Sequence, residues 1–228
     1  MDTITIGRKL DENDNPVPKS GLKIDPNGKV ANKLRDRKGP LVSNPISREW
    51  VTELVSAEET DGEYLSALYI IAGEGPPPHY HVGFEESFKV LKGELTIEEG
   101  DTSHHLSPGE KYTIPPETVH KPRYEGDDFA AAIGSVRPAS KTMDLLMTLF
   151  GLTHEEKVDE NGQPGFMQGM VMTDGFADDT VFVSPPPAVT KPLSFILAPA
   201  GRMLGYNATY EKYKTIEFWE KHIEQPKL

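Results

Sequence analysis

Two histidines, His79 and His81, close the run Gly73-Glu-Gly-Pro-Pro-Pro-His-Tyr-His, and Glu86 follows them across a short excursion from Val82 to Glu85. A third, His120, arrives behind Pro115-Pro116. On a strand, residues two apart project to the same face, so His79 and His81 can aim at one point while Tyr80 faces the other way. Glu86 can return a carboxylate to that point, and His120 opens a further strand. Three imidazoles and a carboxylate suit one divalent transition metal ion, iron, manganese, nickel or zinc above all, with cobalt and copper compatible; zinc bonds of about 2.0–2.2 Å set the scale. Four protein donors leave room on an ion that prefers up to six, so substrate or dioxygen can be admitted.

Other polar residues carry less weight. His104 and His105 are adjacent, so on a strand only one can face a barrel interior, and solvent exposure is the favoured reading. Glu85 competes with Glu86 for the ligand position. Tyr80, Phe84 and Phe88 read as packing residues, and Tyr124, Arg123 and Lys89 as candidates for a pocket mouth that strand alternation cannot all turn inward. No separate catalytic acid or base can be named.

The positioning elements follow from pattern. Short β-type segments run Trp50–Val55, Tyr64–Ile71, Ser87–Leu91, Glu94–Glu98, Lys111–Ile114, Val119–Tyr124 and Phe129–Val136. Asp61-Gly62, Lys92-Gly93, Glu99-Gly100-Asp101, Pro108-Gly109 and Gly126-Asp127-Asp128 divide them with turn chemistry. Many short strands at close spacing indicate a sandwich or barrel rather than a parallel sheet with crossover helices. After Arg137-Pro138, Met143, Leu146, Met147 and Phe150 recur at helical spacing behind Ser140, an N-cap candidate. A second helix is expected around Phe166–Val171 and a strand at Val181–Val183. The stretch from Leu193 through Tyr206, Tyr210, Tyr213, Ile216, Trp219 and Ile223 reads as amphipathic helix end to end. The chain therefore divides into an N-terminal arm (1–48), a β-barrel (49–138) and a helical C-terminal extension (139–228).

Composition bounds the rest. With 36 acidic residues against 24 Lys and Arg, the formal charge of −12 repels nucleic-acid phosphate and anionic membrane. The short basic run Lys33–Lys38 reads as a solvated turn. Cysteine is absent, so a metal must be held by nitrogen and oxygen, and nothing points to an oxidising compartment. Met1-Asp2-Thr3-Ile4 lacks the basic and apolar regions of a signal peptide, and no run reaches the roughly 18 apolar residues of a membrane span. A cytoplasmic protein is expected. An arm able to exchange between protomers and apolar helix faces in need of cover point to a homodimer.

Gly73, His79, His81, Glu86 and Gly93 match at every position the first motif of the cupins, which reads Gly, five residues, His-x-His, three or four residues, Glu, six residues, Gly. Gly109, Pro115 and His120 supply the second, with Glu117 where glycine is usual and Tyr124 where asparagine is usual. Residues 50–137 thus resemble a cupin, and Leu197–Tyr206 with Tyr210–Tyr213 resembles a helical tail on some single-barrel cupins. The resemblance implies a mainly β, double-stranded β-helix (jelly-roll) barrel with His79, His81, Glu86 and His120 as metal ligands in its mouth. It also implies an enzyme acting on a small organic molecule, oxygenase or dioxygenase chemistry first. Non-redox lyase, isomerase or decarboxylase chemistry, or non-catalytic capture of a small ligand or metal, are the alternatives.

Overall fold

A computed structural model describes residues 3–228. Met1 and Asp2, the first residues of the segment read as unlike a signal peptide, lie outside the described residues. The arm holds β1 (Ile4–Ile6), β2 (Leu22–Ile24), α1 (Lys29–Arg35) and β3 (Val42–Asn44). The barrel holds β4 (Glu49–Val55), β5 (Leu65–Ile71), β6 (His79–His81), β7 (Glu85–Lys92), β8 (Leu95–Glu99), β9 (Thr102–Leu106), β10 (Lys111–Ile114), β11 (Lys121–Arg123) and β12 (Ala130–Arg137). The extension holds α2 (Thr142–His154), α3 (Phe166–Gly175), β13 (Thr180–Phe182), α4 (Pro187–Met203) and α5 (Ile216–His222).

Two layers make a jelly roll. One is the antiparallel sheet β10-β7-β12-β5-β4-β3; the other combines β11-β8-β9 with β13-β6, joined by a bridge between His79 and His120. Alternation decides what points inward. Glu86, Phe88 and Val90 of β7 are buried while Glu85 and Lys89 are exposed, and the ladders place Glu49, Tyr69 and Glu86 on that same inner face. Tyr69 meets Phe88 edge to face there, with centroids 5.6 Å apart. Gly93 turns β7 into β8 at φ 72°, where a Cβ would lie 2.5 Å from Phe129 O, so the turn admits glycine alone.

β5 is buried on both faces because arm and extension cover the sheet from outside. Trp50 Nε1 donates to Gly7 O (2.8 Å). Arg8 makes a bidentate pair with Glu224 (2.8 and 2.9 Å), and Gln225 bonds both Leu41 N and Leu41 O. His154 of α2 reaches Ser43 O and Oγ, both at 3.0 Å. Burial holds this imidazole down to about 4, so it stays neutral.

Three local readings need correction. The basic run read as a turn is helical in its first half, Lys33–Arg35, because Val30, Ala31 and Leu34 form an apolar face that buries against the sheet. Ser140 is not the cap of α2; Lys141 holds that position, and Ser140 Oγ accepts from Thr142 N instead. The helix read from Leu193 to Ile223 stops at Met203. Gly205 takes φ 91° and Tyr206 N returns to Gly201 O (3.1 Å), a left-handed cap. A short 3-10 turn over Glu211–Lys214 and α5 then carry Tyr213, Trp219 and Ile223 into the core. Among the described residues no helix is long and apolar enough to cross a membrane.

Burial raises the Glu49 carboxyl from 4.5 to about 7. A carboxyl raised in the folded state favours folding fully below its unfolded value, and that contribution fades as pH climbs through about 7. Wild-type protein should therefore lose about 3 kcal/mol relative to Glu49→Gln between pH 4.5 and 8. Denaturant melts of both proteins at these two pH values would show the gap; parallel pH profiles would refute it.

Candidate metal centre

β6 aims His79 and His81 inward, and the backbone locks the strand in place. His79 N donates to His120 O (3.1 Å) and His120 N to His79 O (2.8 Å), so the second motif is zipped to the first. On the opposite face, Tyr80 Oη accepts from Lys191 of α4 (3.3 Å). Glu86 projects from β7 of the facing sheet. The structure thus brings His79, His81, Glu86 and His120 together, all buried, with one donor atom from each within 4.8 Å of the others. Donors sharing an ion at about 2.2 Å lie at most about 4.4 Å apart, so a contraction of a few tenths of an ångström suffices. The four could hold one metal ion.

Hydrogen bonding fixes which nitrogen of each ring is free. His79 Nδ1 donates to Pro77 O (2.8 Å) and His120 Nδ1 to Thr118 O (2.9 Å), since a carbonyl can only accept. His81 Nδ1 faces Thr180 Oγ1 (3.1 Å), whose own proton goes to Asp179 Oδ1 (2.9 Å), so the hydroxyl accepts from the ring. Asp179 Oδ2 is held by Lys141 N (2.8 Å). The Nε2 atoms of His81 and His120 then face Glu86 Oε2 at 3.2 and 3.1 Å. In the neutral tautomers each contact sets a lone pair against a carboxylate oxygen, which requires a proton or a cation between them.

The electrostatics show the same demand for a proton or a cation between these groups. Burial, then the neighbouring His120 and His81, lowers His79 to about 3, so it offers a lone pair without first losing a proton. Burial alone would raise Glu86, but hydrogen bonds from His120 and His81 hold it well below the usual carboxylate range. Burial lowers His120, yet the Glu86 hydrogen bond and charge outweigh it and raise the net value. Apolar rings flank the cluster: Phe84 stacks on His81 (4.4 Å) and Phe182 lies 5.8 Å from His79.

Glu85 points outward and is exposed, so it is not a competing ligand. His105 faces out toward Glu94 (3.5 Å), whereas His104 turns inward onto Tyr112, so the solvent reading holds for one of the pair and not the other. Lys89 is exposed on the outer face and Arg123 pairs with Glu98 and Glu125; neither joins the cluster. Thr180 and Asp179 were not legible as site residues. They lie in the extension, far along the chain from His81, and only the pairing of β13 with β6 brings them in.

Residues 68–136 match the model of the cupin domain. The chain belongs to the cupin superfamily. This cupin is 39% identical over 51 residues to an oxidoreductase of Arthrobotrys oligospora, covering 22% of this chain and 20% of that protein. It is 28% identical over 133 residues to the oxidoreductase macE of Penicillium terrestre, covering 54% of this chain and 50% of that one. It thus spans half or less of the length of these curated relatives. Among solved structures, it is 31% identical to a cupin-2 domain protein of Shewanella frigidimarina, with a TM-score of 0.29 and coverage of 33% of this chain and 71% of that one.

If Thr180 orients His81 for an ion, Thr180→Val should weaken zinc binding by about 10–100-fold and Thr180→Ser should restore it. Competition against a chromophoric chelator measures this, and equal affinities in all three proteins would refute it.

Proposed function

We propose that this cupin is a metal-dependent enzyme acting on a small organic molecule at a centre of His79, His81, His120 and Glu86, with oxygenase or dioxygenase chemistry as the leading reading. One observation carries it: two imidazole Nε2 atoms, with their Nδ1 atoms already committed, converge on one carboxylate oxygen at 3.1 and 3.2 Å in a buried site. A bound iron, manganese, nickel or zinc ion would supply Lewis acidity, and a redox-active one a route to dioxygen chemistry. The oxidoreductase names of the two curated relatives support the redox side. The chain's own residues orient and shield. Carbonyls of Pro77 and Thr118 and the Thr180 hydroxyl set the rings, and Phe84 and Phe182 exclude water from their flanks. Lyase, isomerase or decarboxylase chemistry, and non-catalytic capture, use the same residues.

Protein purified without chelator or affinity-tag nickel should carry roughly one transition-metal ion per chain by elemental analysis. His81→Ala should lose nearly all of it; unchanged content would refute the ligand assignment. Dioxygen uptake with enolisable or phenolic compounds identifies an oxygenase. Turnover without oxygen identifies the non-redox reading, and stoichiometric retention without turnover identifies a binder.

A homodimer is part of the same proposal. Val189, Phe195, Ile196, Met203 and Leu204 of α4 and its cap are 61–89% exposed. Val189, Pro192, Ile196, Pro199 and Met203 follow the alternating three- and four-residue steps of a helix-pairing seam. These side chains offer on the order of 600 Å² of apolar surface, at the upper end of a monomer's largest patch and approaching the roughly 800 Å² per partner of a standard interface. A second copy of α4 supplies the matching seam. Light scattering should give a dimer for wild type and a monomer for Phe195→Lys/Ile196→Lys with metal content unchanged. A wild-type monomer at every concentration would refute it.

A further inference from the structure

Beside the four candidate ligands, a second polar group spans the two sheets. Tyr112 of β10 sets its hydroxyl 3.2 Å from Glu99 Oε2 of β8 and 3.1 Å from His104 Nε2 of β9, with the imidazole stacked on the phenol at 4.3 Å. The phenol has one proton and Glu99 only accepts, so Tyr112 donates to Glu99 and accepts from the His104 Nε2–H. Burial and the neighbouring Glu99 raise the Tyr112 hydroxyl, which keeps that proton in place. The chain of donors ends on a carboxylate whose other oxygen, Oε1, is buried and has no hydrogen-bond partner.

The position of that oxygen is set by register. Ile97 pairs with His104, so Glu99 and His104 share the inner face of their sheet. Lys121 pairs with Glu98, so Glu99 stands level with His120, one step further along the ladder. The charge of Glu99 contributes to raising His120, as that proximity requires. From the other sheet, Ile114 pairs with Glu86, so Tyr112 sits one inward step from that carboxylate. The group therefore borders the candidate ligands from both layers, and it is more exposed than they are. An acceptor held in place, buried and unpaired, is costly unless something donates to it.

We infer that Glu99 Oε1 accepts a hydrogen bond from a hydroxyl of the bound small molecule, while Tyr112 and His104 hold the carboxylate in position. Charge narrows the class. Glu86 and Glu99 together balance one divalent ion, and among the described residues no Lys or Arg bonds to either. The site thus suits a hydroxylated carbonyl compound, which brings the ion at most the single negative charge of an enolate and offers a hydroxyl to Glu99, rather than a phosphate or a dicarboxylate. This rests on the metal reading of the neighbouring cluster.

Kojic acid and allomaltol test it. Both are chelating hydroxypyranones, and they differ by one hydroxyl on a side arm. Calorimetric titration of zinc-loaded wild-type protein should show kojic acid binding at least about tenfold more tightly. Glu99→Leu should bring the two within about twofold while zinc content stays the same. Equal affinities in wild type, failure of both probes to bind the zinc-loaded protein, or a preference unchanged in Glu99→Leu would each overturn the assignment of Glu99. A wild-type protein that takes up no zinc would instead end the metal reading, and this inference with it.

Discussion

Glu86 is an ionised carboxylate inside an apolar barrel, and the surrounding structure is arranged around that fact. Burying such a charge without partners is prohibitive, so two imidazoles converge on a single oxygen. Neutral imidazoles cannot satisfy it, because their remaining protons are already given to Thr118 O and to the Thr180 hydroxyl; a proton on His120, whose hold on it Glu86 strengthens, or a cation can. The site is a set of acceptors facing one another. That arrangement is unfavourable for a core of neutral rings and well suited to a cation.

The extension is part of this centre, not an appendage to it. β13 pairs with β6 so that Thr180 stands opposite His81 and Phe182 opposite His79. Asp179 then connects the Thr180 hydroxyl to the N-terminus of α2 through Lys141 N. The orientation of one ring therefore depends on how a helix starts some distance along the chain. The arm and the C-terminal tail close the other side, through Arg8 with Glu224 and Leu41 with Gln225. A barrel cut free of these segments would keep the four candidate ligands and lose the Thr180 hydroxyl that fixes one of them.

What the sequence made legible was local. His79 and His81 at a strand's two-residue period, the turn at Gly93, and His120 behind paired prolines are short-range signals, and β7 turns Glu86 inward and Glu85 outward as alternation requires. Thr180, Asp179, Glu99 and Tyr112 carry no such signal, because their roles exist only once sheets pair or face each other. The aromatic ladder from Tyr206 to Ile223 misled for a related reason. Its helical spacing serves burial of Tyr213 and Trp219 through a turn and a short helix, while Gly205 in a left-handed conformation ends α4 first.

Glu117 shows how much of the second motif is backbone rather than side chain. It stands where the family has glycine, yet it adopts φ 61°, the left-handed conformation that glycine takes without strain. A residue with a Cβ gives up about 1–2 kcal/mol there. In return the loop keeps its path: Glu117 N donates to His81 O at 2.7 Å, and three residues later His120 pairs with His79. The departure at this position changes the residue without changing the turn, so His120 arrives where the first motif needs it. Placement of the fourth donor is thus governed by a backbone conformation that the chain maintains against the preference of the side chain it carries.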